Sequence, residues 1–127
     1  MRERKIIEIP EKFLLILGEK DPGTRIYRAI GTDLDYRKWF QAILEITNGE
    51  IVSPGGVPMY CHVSRAGLHK KLKTGGLTAF CFHFTKFESF LFRKREIIQK
   101  QSYMFFPICE LSHWEDEILT RLDIKKV

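Results

Sequence analysis

The stretch from Ser53 to Phe80 constrains the fold more than any other part of the chain, because its residue spacing changes from helical to strand-like across two adjacent glycines. The first part favours two short helices joined by a tight turn at Cys61-His62-Val63. The second helix is predicted over Ser64 to Lys73, and Thr74-Gly75-Gly76 ends it. From Leu77 to Phe84 aromatic residues alternate with smaller or polar ones, which predicts a strand with two different faces.

The first of the two short helices is predicted from a serine followed by a proline. Ser53 is the expected N-cap, and Pro54 suits the first helical position because its missing N–H would have no partner there. Gly55, Gly56 and Pro58 lower the helix propensity of this segment, so a turn-rich loop is the competing assignment.

The second short helix is predicted to have a capped start, an apolar side and a basic side. Ser64 is a favourable N-cap because its hydroxyl can accept a hydrogen bond from a first-turn N–H. The residues expected to anchor this helix are Val63, Leu68 and Leu72. The residues left for solvent are Arg65, Gly67, His69, Lys70, Lys71 and Lys73. A short basic helix that faces solvent after a turn is what a helix-turn-helix inserts into the DNA major groove.

The first 50 residues are expected to be mostly helical. Short helices are predicted over Glu11 to Leu17 and Thr24 to Ile30, with a loop over Gly18 to Gly23. The clearest helix runs from Asp33, its expected N-cap, to Thr47, and Asn48-Gly49 ends it. Its apolar face follows the helical period and consists of Tyr36, Trp39, Phe40, Ile43 and Leu44. We expect this helix to be the scaffold on which the two short helices pack.

After the first predicted strand, the chain favours a small hairpin and a last helix. Thr85 to Glu88 is the expected hairpin tip, and Ser89 to Arg95 the return strand. Glu96 to Ser102 is polar and is expected to be a mobile connection. Tyr103 to Ile108 is predicted as another short strand. A final helix capped by Glu110 or Ser112 is expected to end near Leu122.

Positive charge is concentrated in one segment of the chain. The whole chain carries a net charge of +5, but residues 61–100 contain nine Lys and Arg against Glu88 and Glu96, a net charge of +7. Lys86, at the hairpin tip, and Arg93 and Arg95, on the return strand, extend the basic set beyond the second helix. A clustered basic patch is expected of a phosphate-binding surface, whereas a solvated charged face is the simpler alternative.

The motifs that would indicate catalysis or metal binding are missing from the sequence. The three cysteines and four histidines have no paired zinc-ligand spacing, and the two Gly-Gly pairs lack the context of a phosphate-binding loop. We therefore expect no enzyme activity, no metal and no cofactor. The odd number of cysteines favours reduced thiols in the cytoplasm, and neither a signal peptide nor a membrane span is expected.

The segment HVSRAGLHKKLKTGGLTAF resembles the core of the MerR and phage-excisionase type of winged helix-turn-helix domain. The positions that carry the resemblance are Val63, Ser64, Arg65, Leu68, Lys70, Lys73, Gly75 and Leu77. The later PICELSHWEDEIL resembles the strand and Trp-bearing helix that close many such domains. The match covers residues 51–95 well and 103–120 loosely.

The resemblance implies an α+β, mainly α fold, a winged helix-turn-helix with an N-terminal helical extension and a small antiparallel hairpin. The extension would be residues 1–50, packed on a domain of residues 51–122. The function implied is sequence-specific binding of double-stranded DNA, as a transcriptional regulator or an excisionase-like accessory factor, through a homodimer or a cooperative assembly. No small-molecule ligand is implied. The alternative is a protein-interaction module that uses the aromatic hairpin and the last helix.

Overall fold

The computed structural model describes residues 6–90 and 93–111, with the backbone alone for residues 86–90 and 93–101. The described strands are β1 (Glu19–Lys20), β2 (Arg25–Gly31), β3 (Ile51–Val52), β4 (Thr78–Phe90) and β5 (Arg93–Pro107). The α-helices are α1 (Leu14–Leu17), α2 (Asp33–Thr47) and α3 (Arg65–Lys73), and 3-10 helices span Glu11–Phe13 and Pro54–Met59. Residues 108–111 are also helical.

A mixed sheet of five strands, in the order β1-β2-β4-β5-β3, organises the described part of the chain. β2 runs parallel to β4, in register from Arg25 beside Thr78 to Gly31 beside Phe84, and the other neighbours are antiparallel. The expectation of a mainly α winged helix-turn-helix with an N-terminal helical extension and a small hairpin is therefore wrong. The division of domains at residue 50 stays a prediction, although β2 and β4, from either side of it, are neighbours.

The first cause of this error is β2, which lies where the spacing of Ile26, Tyr27 and Ile30 favoured a short helix. In the structure Ile26 packs on one face of the sheet, and Tyr27 and Ala29 pack on the other. Each face of β2 carries apolar side chains and Arg28 interrupts one of them, so the strand shows no simple alternation and its sequence is easily mistaken for one turn of helix.

The second cause is the length of the hairpin. β4 continues to Phe90 and β5 begins at Arg93, so the predicted tip at Thr85–Glu88 is strand. The predicted mobile connection over Glu96–Ser102 is also part of β5, which ends at Pro107, one residue before the predicted end of the strand at Ile108. A register shift separates His83 from Thr85. A polar two-stranded ribbon has the composition of a loop, so its pairing could not be read from residue types.

β4 supplies side chains to an apolar layer on each face of the sheet. Phe80, Phe82 and Phe84 lie in the aromatic layer, whereas Ala79 and Cys81 lie in the opposite layer, as the alternation predicted. The aromatic layer also contains Trp39 and Ile43 of α2, together with Phe13 and Leu17. The opposite layer also contains Ile26, Val57, Cys61, Leu72, Leu77, Phe106 and Leu111.

α2 confirms the predicted helix from Asp33 to Thr47, and Asn48 and Gly49 end it with φ values of 54° and 77°. Its N-cap is Thr32 rather than Asp33, and the Thr32 N–H donates to Asp35 Oδ2 at 2.9 Å. This bond lowers the pKa of the Asp35 carboxyl. The predicted role of α2 as the scaffold of the short helices is wrong, because the sheet separates their layers.

Glu110 joins the two ends of the described chain to the sheet. Its buried carboxylate accepts a hydrogen bond from the Thr78 N–H through Oε1 at 3.0 Å and from the Ile7 N–H through Oε2 at 3.3 Å. Arg25 donates from Nε to Thr78 Oγ1 at 2.9 Å and from Nη2 to the Ile7 carbonyl at 3.0 Å. The rest of the predicted last helix, to Leu122, lies outside the described residues.

We expect Glu110→Gln to destabilise the protein by about 1–3 kcal/mol, because an amide group would place a donor against either the buried Thr78 N–H or the part-buried Ile7 N–H. Urea denaturation measures the loss. The matched control is Glu45→Gln, on the exposed side of α2, which should change stability by less than about 0.5 kcal/mol. Equal effects of the two substitutions would show that the Glu110 contacts contribute nothing.

Gly18 permits the chain to cross β2 closely. Its φ is +88°, and an added Cβ would collide with the Arg28 carbonyl oxygen. Gly23 also has a positive φ, +71°, but no atom lies near the place of its Cβ. Gly18→Ala should therefore cost about 3 kcal/mol or more, and Gly23→Ala about 1–2 kcal/mol, in urea or thermal denaturation. Equal losses would exclude close packing as the requirement for glycine at residue 18.

Candidate nucleic-acid interface

α3 has the start and the end that its sequence predicted. The Ser64 hydroxyl oxygen accepts a hydrogen bond from the Gly67 N–H at 3.0 Å, and its carbonyl accepts one from the Leu68 N–H at 2.9 Å. At the other end Gly75 has a φ of +76°, and the Gly76 N–H donates to the Lys71 carbonyl at 2.9 Å. The predicted helix over Ser64 to Lys73 is thus confirmed, with Ser64 as its N-cap.

The first short helix is present as a 3-10 helix from Pro54 to Met59. Ser53 takes the N-cap position and Pro54 the first helical position, as predicted, but the Ser53 side chain makes no capping hydrogen bond. Two glycines and Pro58 explain why a regular α-helix does not form here. Val57 of this segment is buried and packs in the apolar layer opposite the aromatic one.

The anchors of α3 decide which of its side chains face solvent. Leu72 is buried, and Leu68 and Val63 are partly buried against the same layer. The residues of α3 that remain exposed are Arg65, Ala66, His69, Lys70 and Lys73. α3 is therefore held by an apolar side and presents a polar, basic side.

Two of the predicted contact residues are less exposed than expected. Lys71 is half-buried and interacts with another group of the protein. Gly67 is also half-buried, and an added Cβ would lie 3.1 Å from Val63 Cγ2 and 3.3 Å from Ser64 Oγ. The small residue at position 67 therefore lets the preceding turn fold closely against the first turn of α3.

A groove of about 460 Å³ lies between α3 and the C-terminal half of β5. Arg65 and His69 line it from α3, while Met104 and Phe106 line it from β5. Pro54 closes one part of it. The predicted contact residues Arg65 and His69 therefore lie beside β5. The sequence did not predict that Met104, Phe106 and Pro54 line the same groove, because their positions depend on the pairing of the sheet.

The predicted hairpin residues lie in the outer part of the β4–β5 ribbon. The backbone of Lys86 is paired with Ile97, that of Arg95 with Glu88, and that of Arg93 with Phe90. Their side chains lie outside the described part of the structure. These three basic residues therefore lie on the outer part of the antiparallel hairpin that β4 and β5 form.

The segment of the chain that contains α3 carries side-chain charge of one sign. Residues 51–87 contain no Asp or Glu, and they contain Arg65, Lys70, Lys71, Lys73 and Lys86. No acidic side chain of this long segment can neutralise the basic side of α3. Residues 51–87 therefore contribute only positive side-chain charge to this surface.

Two of the three cysteines, Cys61 and Cys81, are buried, and Cys109 is half-buried. Cys61, Cys81 and Cys109 are thiols rather than members of a disulfide. Burial raises the pKa of the Cys81 thiol to about 11, so it is neutral at pH 7 and a poor nucleophile. Residues 6–90 and 93–111 contain no group of three or more His, Cys, Asp or Glu that could hold a metal ion.

Comparisons of the chain with protein-family models, with curated proteins and with solved structures found no match. The resemblance of residues 51–95 to the MerR and excisionase type therefore stays a prediction. Among the helices of the described ranges, none has the length and apolar content that a membrane span requires.

The two candidate caps allow a paired test. Ser64→Ala should lower stability by about 1 kcal/mol because the Gly67 N–H loses its acceptor. Ser53→Ala should be near neutral because Ser53 makes no such bond. Thermal denaturation followed by circular dichroism measures both. If Ser53→Ala costs as much as Ser64→Ala, the assignment of a single side-chain cap in this region is incorrect.

Proposed function

We propose that the protein binds double-stranded DNA through α3 and the β4–β5 hairpin. α3 would enter the major groove, and the hairpin would lie along the backbone or the minor groove beside it. The proposal includes sequence-specific binding, in the cytoplasm, as a transcriptional regulator or an excisionase-like accessory factor.

The observation that carries this proposal is the division of α3 into two sides. Leu68 and Leu72 attach one side to the sheet, and Arg65, Lys70 and Lys73 face solvent on the other. The complete lack of acidic residues from 51 to 87 leaves this positive charge unopposed along the chain. An exposed basic helix next to a basic hairpin is the footprint expected of a DNA-binding surface.

The exposed residues suggest a division of roles on DNA. Arg65, in the first turn, can reach a phosphate or make two hydrogen bonds to a guanine edge. His69 and Lys70 lie about one turn further on and are the next candidates for base edges. Lys71 and Lys73 are assigned to phosphates, which position the protein without reading sequence.

The remaining predicted contacts lie at the ends of this surface. The Ser64 hydroxyl and the positive end of the α3 dipole would meet a phosphate at the start of the helix. Gly67 is assigned to packing at this start rather than to a contact of its own. Lys86, Arg93 and Arg95 would follow the backbone along the hairpin.

The alternative function, docking of a protein partner on the aromatic hairpin, is less favoured. Phe80, Phe82 and Phe84 are buried in the aromatic layer, so they are not available to a partner. The side chains of the outer hairpin and residues 112–122 of the predicted last helix, which this alternative also uses, lie outside the described part of the structure.

A fluorescence titration on labelled duplex DNA at several salt concentrations tests the proposal. Affinity should fall steeply with salt, because each neutralised phosphate contributes a slope of roughly −0.9 in log K against log salt. Arg65→Ala and Lys70→Ala should each weaken binding by about 1–3 kcal/mol if they contact base edges, and should reduce discrimination between duplex sequences.

The matched control is Arg37→Ala, which removes the same charge from an exposed position on α2. It should leave the affinity within about twofold, because only the long-range field changes. Folding of each variant is checked by circular dichroism. No binding to duplex at low salt, or equal losses for Arg65→Ala and Arg37→Ala, would refute the proposal.

A further inference from the structure

The groove beside α3 combines apolar side chains with positive charge. Leu72 of α3 and Phe106 of β5 are buried where they line it, whereas Arg65 and His69 are exposed. Among the described residues that line the groove, none is acidic. A surface of this kind is complementary to an amphipathic segment that carries negative charge.

The last described residue of the chain packs in the same apolar layer as this groove. Leu111 is fully buried in the layer that contains Leu72 and Phe106, two of the residues that line the groove. The residue before it, Glu110, is held by the hydrogen bond that it accepts from the Thr78 N–H at 3.0 Å. The chain beyond Leu111 therefore continues from a fixed position on the α3 side of the sheet.

The sequence beyond Leu111 continues the helical period. Residues 108–111 are helical, and Trp114, Ile118 and Leu122 follow Leu111 at intervals of three, four and four residues. On a continued helix these side chains form one apolar stripe with Leu111. At about 1.5 Å per residue the stripe would be about 16 Å long, close to the roughly 13 Å of the nine-residue α3.

The charge of this segment is opposite in sign to that of α3. Residues 112–122 contain Glu115, Asp116 and Glu117 against Arg121, a net charge of −2. The segment is thus complementary to the groove in both its apolar and its charged parts. It is favoured over a separate acidic partner because its covalent connection at Leu111 gives it a high effective concentration at the groove.

We propose that residues 112–122 dock in the groove beside α3, with Trp114 and Ile118 against its apolar lining and the three acidic residues beside the basic side of α3. The docked segment would compete with DNA for Arg65 and His69, so the contact would be autoinhibitory. The competition rests on the proposed function, whereas the docking itself does not.

Acrylamide quenching of tryptophan fluorescence in the full chain tests the docking. The chain has two tryptophans, and Trp39 is only 1% exposed, so changes in quenching report Trp114. Ile118→Asp should raise the quenching constant at least about twofold, because a carboxylate cannot stay in an apolar contact without a large cost. Thr120→Asp is the matched control, since it adds the same charge on the opposite side of a continued helix, and it should leave quenching unchanged.

Ala66→Asp tests the same contact from the groove. Ala66 is exposed in the first turn of α3 and lines the groove, so the substitution faces the acidic segment with another carboxylate at a position where helices accept Asp. It should also raise the quenching of Trp114, whereas Gln41→Asp, at an exposed position of α2, should not. Circular dichroism checks that each variant stays folded.

Two kinds of result would overturn the docking within one chain. The first is quenching that Ile118→Asp and Ala66→Asp leave unchanged, or that Ile118→Asp and Thr120→Asp change equally. The second is protection of Trp114 that is lost on dilution, which would place the segment on a second copy of the chain.

The titration on duplex DNA separates the docking from the proposed function. Ile118→Asp should bind duplex at least about threefold more tightly than Thr120→Asp, because the two variants carry equal charge and only the first frees the groove. Equal affinities would refute the competition. Protection of Trp114 in a chain that ignores duplex DNA would remove the proposed function and leave the docking. An unprotected Trp114 in a chain that binds duplex DNA would remove the docking and leave the proposed function.

Discussion

The burial of residues 78–82, in the first part of β4, on both faces of the sheet is the constraint on which the rest of the structure depends. Thr78, Ala79, Phe80, Cys81 and Phe82 are all almost inaccessible to solvent. A strand in that position needs hydrogen-bonded neighbours on both edges and apolar cover above and below. β2 and β5 form the backbone hydrogen bonds on the two edges of β4. α2 covers the aromatic face of the sheet, and the 3-10 helix Pro54–Met59 and α3 cover the other face.

The orientation of α3 follows from that arrangement. Leu72 reaches the layer that contains Ala79 and Cys81, so the helix cannot rotate without removing an apolar side chain from the core. The exposure of Arg65, Lys70 and Lys73 is the consequence. The basic surface is therefore fixed by packing on the sheet, and the cap at Ser64 determines where it begins.

The two edges of the sheet have different chemistry. Beside β5, a groove is lined by Arg65 and His69 of the basic helix α3 and by Met104 and Phe106 of β5. Beside β1, exposed aliphatic side chains surround a cleft with both signs of charge. The two surfaces have no lining residue in common.

Much of the local structure could be predicted from the sequence, and so could most of the exposed basic side of α3. α2, α3 with its cap at Ser64, and the two-faced strand after Leu77 are each encoded within a few residues by periodicity, caps and glycines. The half-burial of Gly67 could not be predicted in this way, because it depends on how closely the preceding turn packs against the helix.

The tertiary structure alone decided how these elements are arranged. Arg25 and Thr78, the first residues of β2 and β4, are 53 positions apart in the chain, and no local pattern predicts their pairing. The same parallel pairing turned a predicted helix into a strand and put α2 and α3 on opposite faces. The sequence by itself determined which residues were apolar, basic or suited to a cap. Their grouping into one mixed sheet with two dissimilar edges required contacts between distant residues, because only those contacts bury β4 on both faces.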